Sequence, residues 1–90
     1  MTTCAHLAAV QSEPEPEPVT TDGCAGCIAE GRDDWVHLRL CLACGYVGCC
    51  DSSPARHARR HAAVVDHPVV RSFEPGETWR WCFVDEALTV

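Results

Sequence analysis

The stretch CLACGYVGCCDSSPARHARRH, Cys41 to His61, decides how this chain folds. It holds a Cys41-x2-Cys44 pair, a further cysteine at Cys49 and a His57-x3-His61 pair. Each pair lets a single turn supply two corners of a tetrahedral metal site. The pattern continues outward, with Cys24-x2-Cys27 and Cys4-x-His6 before the stretch and His67 and Cys82 after it. Seven of the eight cysteines and four of the five histidines thus form one series of eleven soft donors in 90 residues.

A chain of 90 residues is expected to form one domain, here over 1–90, and buries too little apolar surface for core packing alone to hold it firmly. Metal or disulfides must staple it. Disulfide frameworks have no use for five histidines, and a two-residue gap is poor for a disulfide but good for a zinc knuckle, so zinc is the expected cofactor, with three ions and at least two. The first residues, MTTCAHLAAV, have neither the basic region nor the long apolar core of a secretory signal, and no stretch approaches the length of a membrane span. A cytoplasmic, reducing setting without membrane contact is the expectation, with cysteines free to act as thiolates.

The formal charge is −6, and every fixed positive charge is an arginine. That balance argues against nucleic-acid binding, whose affinity comes largely from phosphate attraction, although Arg56, Arg59, Arg60 and Arg71 make a local exception. Catalysis would need a dry pocket and a positioned general base, and the sequence offers no candidate for either. A non-enzymatic monomer is expected.

QSEPEPEPVT, residues 11–20, alternates proline with glutamate and is expected to be an extended, flexible, solvated spacer that packs on nothing. Trp35 to Cys41 alternates as a strand does, with Trp35, His37, Arg39 and Cys41 on one face and Val36, Leu38 and Leu40 on the core face. Ser52-Ser53-Pro54 reads as a helix start and predicts a helix from Pro54 to about Val64, with His57 and His61 on one face. Val69 to Phe73 and Thr78 to Val84 read as strands around the turn Glu74-Pro75-Gly76-Glu77. In the second of these, Trp79, Trp81 and Phe83 share the face opposite Cys82, which suits either a core layer or the wall of a pocket.

Taken together, CAH, CAGC, CLACGYVGC, HARRH, DHPVV and WCF, running from Cys4 to Asp85, resemble the ubiquitin-protease-type zinc finger, also called the UBP-type or BUZ domain. The resemblance implies an α+β fold: a small zinc-stabilised domain with a twisted antiparallel sheet, one main helix and interleaved, cross-braced zinc sites. It further implies that Cys24, Cys27, Cys49 and His57 hold one zinc and Cys41, Cys44, His61 and His67 a second. Cys49 and Cys50 compete for one of these places. Distance from Cys44 favours Cys49, whereas the family's usual count to the histidine at 57 would be restored by Cys50. A third site would join Cys4, His6 and Cys82, and where fully liganded members have a second cysteine three positions later this chain has Asp85, a carboxylate that zinc accepts. The competing reading makes Asp85 a cap for the short Glu86 to Leu88 segment.

In function the resemblance implies recognition of the free carboxyl-terminal tail of a protein or peptide, ubiquitin-like in the family, in an aromatic pocket. Trp79, Trp81, Phe83 and Arg39 are the candidate binding residues. Many members continue from the position of Cys49 as CGR, the arginine clamping the tail carboxylate, whereas this chain has Cys50-Asp51, with Arg39, Arg56 or Arg71 as possible substitutes. The alternative function is a zinc- and redox-responsive thiolate protein in which Cys50 is the extra thiol.

Overall fold

A computed structural model describes residues 4–11 and 13–89. The ends of the expected 1–90 domain, residues 1–3 and 90, and residue 12 of the 11–20 segment lie outside the described residues. The elements run α1 (Ala5–Gln11), α2 (Ala25–Ala29), β1 (Leu38–Cys41), β2 (Val47–Cys49), α3 (His57–Val65), β3 (Val69–Ser72), β4 (Arg80–Cys82) and β5 (Ala87–Thr89). The five strands form one antiparallel sheet in the order β2-β1-β3-β4-β5. Among the described residues no helix is long and apolar enough to cross a membrane.

Side chains of directly opposed residues share a sheet face, so the register sorts the molecule into layers. Leu40 pairs with Val47 and Val69 with Cys82, and these residues form a core with Cys4 and Leu42, closed by Leu7 and Val10 of α1. On the other face Cys41, Val70, Trp81 and Leu88 stand in register. Helix α3 lies on this face at β2, where Gly48, opposite Arg39, leaves room only for the Ala58 backbone. Fully buried Leu40, Val47 and Val70 each contribute roughly 1.5–3 kcal/mol. Cysteines are five of the other seven large, fully buried side chains, so sulfur atoms occupy much of the interior that apolar groups would fill.

Several elements differ from the sequence-based expectation. The first strand begins at Leu38 rather than Trp35, because the Val36 amide donates to Ser53 Oγ at 2.8 Å instead of joining a ladder and Trp35 packs on the cluster of Cys24, Cys27, Cys49 and Ala55. Val36 is consequently exposed. Ser52-Ser53-Pro54 is not the start of a helix: Ser53 is spent on Val36, and α3 starts at His57 after Arg56 takes a left-handed conformation, φ 50° and ψ 47°. The strands expected at Val69 to Phe73 and Thr78 to Val84 shorten to β3 and β4; Trp81 keeps the face opposite Cys82, and Trp79 and Phe83, just outside β4, line one cavity with it. Helices α1 and α2 accompany α3, and Ala87–Thr89, which overlaps the Glu86 to Leu88 segment of the competing reading of Asp85, is a fifth strand.

The segment from Glu13 to Thr20 contains neither helix nor strand, yet it does pack, contrary to the expectation of a free spacer. Val19 donates to the Gly45 carbonyl at 2.9 Å, and Glu15 Oε2 lies 3.0 Å from Arg71 Nε. Gly45 sits at φ 84°, and any side chain there would meet the Glu17 carbonyl, so only glycine permits both the knuckle turn and the crossing strap.

Candidate functional site

Three groups of four donors each come together. Cys24, Cys27, Cys49 and His57 form the first, Cys41, Cys44, His61 and His67 the second, and Cys4, His6, Cys82 and Asp85 the third, with the donor atoms of each group within 4.8 Å of one another. The chain alternates between the first and second groups: 24 and 27, then 41 and 44, then 49 and 57, then 61 and 67. Helix α3 carries His57 to one and His61 to the other, so neither loop closes without its neighbour.

Each helix begins at a sulfur of these groups. Cys4 Sγ accepts from the Leu7 amide at 3.4 Å, Cys24 Sγ from Cys27 at 3.3 Å, and Cys49 Sγ from His57 at 3.2 Å. Free amides at a helix start attract negative charge, so such a start suits a sulfur that binds a cation.

The distances within the first two groups fit zinc, and in the third only the 2.8 Å contact of Cys4 with Asp85 is shorter than a tetrahedron sets. Two sulfurs at 2.3 Å from a tetrahedral centre stand about 3.8 Å apart, and nitrogens somewhat closer. Cys27 and Cys49 sulfurs are 3.9 Å apart, and His57 Nδ1 lies 3.3, 3.3 and 3.5 Å from the sulfurs of Cys24, Cys27 and Cys49. Cys41 and Cys44 sulfurs are 3.7 Å apart, His67 Nδ1 is 3.7 Å from Cys41, and His61 Nε2 is 3.2 Å from Cys44. In the third group Asp85 Oδ2 lies 2.8 Å from Cys4 Sγ, 3.1 Å from His6 Nδ1 and 3.9 Å from Cys82 Sγ, with His6 Nδ1 3.6 Å from Cys82. Cys50 stays outside every group, its sulfur 3.5 Å from Ser53 Oγ.

Electrostatics point the same way. Without a cation, burial and the neighbouring thiols of Cys24 and Cys49 push Cys27 up to about 12. Burial opposes ionisation of Cys49 too, but hydrogen bonds from the His57 backbone and ring and from Cys24 and Cys27 outweigh it and bring that thiol down. Clustered sulfurs can ionise together only around a cation, and zinc supplies it. Hydrogen bonds from Cys4 and then His6 lower Asp85, which keeps it a carboxylate donor.

Two supporting contacts had no sequence signal. Glu30 Oε2 lies 3.0 Å from His57 Nε2, orienting the ring so that Nδ1 faces the sulfurs. The Tyr46 ring stacks on His61 with centroids 4.2 Å apart and planes 8° from parallel. The groups also differ in exposure, since all four residues of the first are buried whereas Cys44 of the second is exposed.

Apart from these groups, a cavity of about 430 Å³ opens on the sheet face that carries Trp81, lined by Arg39, Cys50, Asp51, Trp79, Trp81, Phe83 and Leu88. It contains all four residues expected to bind a tail. The Arg39 guanidinium lies over the Trp79 ring, 4.5 Å from its centroid, with one nitrogen donating to the Leu38 carbonyl. Of the other candidate substitutes, Arg71 pairs with Glu15 on the opposite face and Arg56 precedes α3. Asp51 is not bare: both its oxygens accept from Arg59 Nε at 3.0 Å. That pairing spans eight residues and has no sequence signature.

A family model described as a zinc finger in ubiquitin hydrolases and other proteins matches residues 24–89. Comparison with curated proteins gave no match. The chain is similar to a protein from Rhodopseudomonas palustris whose solution NMR structure is known, at 42% identity over 98% of this chain and 81% of that one, with a TM-score of 0.82. The family match begins after Cys4 and His6, whereas the structural likeness takes in nearly the whole chain.

Proposed function

Because the chain belongs to the family of zinc fingers found in ubiquitin hydrolases and other proteins, we propose that its zinc-built scaffold serves as a non-enzymatic module that grips the free carboxyl-terminal tail of a protein or peptide partner. In this reading the twelve residues of the three groups are the zinc ligands. Four protein donors per ion leave no open position for a catalytic water, which supports a structural role for the metal. Thiols must stay reduced for this, which supports a cytoplasmic setting.

The observation that carries the reading is Arg39 in the wall of the aromatic cavity. A flat guanidinium held against Trp79 keeps donors free for a carboxylate, and Trp79, Trp81 and Phe83 offer walls that a narrow, small-residue tail would fill. Asp51, which replaces the family's clamping arginine, is neutralised by Arg59 and repels a tail less than a free carboxylate would. Tails of the ubiquitin-like, diglycine-ended kind are the first candidates.

The test is to titrate the zinc-loaded chain with a diglycine-ended peptide as the free acid and as the amide. The Trp79 and Trp81 indole signals should move with the acid only, and Arg39→Ala should abolish the movement without loss of zinc. Indifference to both peptides refutes the reading. The alternative redox function rests on Cys50, whose burial to 5% exposure works against rapid oxidation.

A further inference from the structure

On the sheet face away from the aromatic cavity, Arg71 of β3 and Arg80 of β4 are directly opposed, so both side chains leave the sheet on the same side. With Thr78 and Glu15 they line a cavity of about 480 Å³. Glu15 Oε2 lies 3.0 Å from Arg71 Nε and 3.8 Å from an outer nitrogen of Arg80. Two guanidinium groups thus face one carboxylate, leaving one positive charge unmatched.

The arginines are well seated and their occupant is not. Their side chains are 20% and 23% exposed, whereas that of Glu15 is 40% exposed and belongs to a segment without helix or strand. Arg71 Nε is shut off from solvent, and despite its closeness to Glu15 it is the only buried side-chain nitrogen or oxygen among the described residues without a hydrogen bond of good geometry. A buried donor without an aligned acceptor is costly, so a better-placed oxyanion is favoured there.

We propose that Arg71 and Arg80, with the Thr78 hydroxyl, form a receptor site for a phosphate-type dianion, and that Glu15 is its tethered, displaceable competitor. A dianion matches both positive charges, and paired forks suit its several oxygens. The Glu15 contact, being exposed, is weak, and its advantage is the high local concentration conferred by the tether.

Inorganic phosphate titrated at constant ionic strength into the zinc-loaded wild-type, Glu15→Gln and Glu15→Gln/Arg80→Gln chains tests this, read from the side-chain Nε–Hε signal of Arg71, with zinc content as the check on folding. The Glu15→Gln chain should give a saturable shift with an affinity up to about fivefold tighter than wild type, the size of one exposed ion pair. The double variant should lose it, and Arg80→Lys in the same background should retain part of it, whereas chloride should give none. No saturable shift in Glu15→Gln, equal affinity with and without Glu15, or an unchanged shift in the double variant would overturn the proposal.

Discussion

Cys4 Sγ and Asp85 Oδ2 lie 2.8 Å apart although 81 residues separate them. The contact draws the start of α1 onto the turn between β4 and β5, and Leu7 and Val10 of that helix then close the core over Leu40, Val69 and Cys82. The third group thus joins the two ends of the described chain, while the first two cross-brace its middle.

Removing the carboxylate behind His57 should weaken the first site specifically. Glu30→Ala frees Nε2 of His57, and loss of such an orienting partner lowers metal affinity by about 10–100-fold. Competition with a chromophoric chelator should show one of the ions leaving early, the other two being retained as in wild type.

Acid should expel zinc. In the metal-free chain Cys27 keeps its proton up to about 12, so zinc must displace that proton to bind, and affinity falls as pH falls. Each ligand thiol that must lose a proton contributes about tenfold per pH unit. Chelator competition at pH 8, 7 and 6 should therefore become progressively easier, and a pH-independent result would contradict thiolate ligation.

Gly48→Ala should destabilise both interior groups at once. A Cβ there would stand 2.6 Å from the Ala58 nitrogen and 2.8 Å from its Cα, backbone atoms that cannot turn aside. Overpacking of this kind costs about 1–3 kcal/mol. Because α3 carries both His57 and His61, displacing it should raise the rate of zinc loss from two sites together, measurable by stopped-flow chelation.

Unmasking Asp51 should weaken tail binding. Arg59→Ala removes all three of its hydrogen bonds to the Asp51 carboxylate and leaves a negative charge in the cavity that is to hold a carboxylate. Affinity for the free-acid peptide should fall several-fold, and Asp51→Asn added to Arg59→Ala should restore it. If the double variant binds no better than the single one, the charge of Asp51 is irrelevant to the cavity.

The sequence was most legible where chemistry depends on short spacing. Cys-x2-Cys and His-x3-His place donors one turn apart whatever surrounds them, and the alternation of Trp79, Trp81 and Phe83 put them together in the lining of one cavity. Helix starts were illegible for one reason: sulfurs act as their caps, so Ser52-Ser53-Pro54 resembled a start while Cys49, eight residues before His57, served as one. The Pro/Glu segment was misjudged because its anchors, Arg71 and Gly45, lie far along the chain. The masking of Asp51 by Arg59 likewise lay beyond short-spacing patterns, because it joins residues eight apart across a loop in which Arg56 takes a left-handed conformation that propensity disfavours.

Counting zinc by native mass spectrometry tests the account most directly. The wild-type chain should carry three ions and the Asp85→Ala chain two. Two ions in the wild type, unchanged by Asp85→Ala, would contradict it.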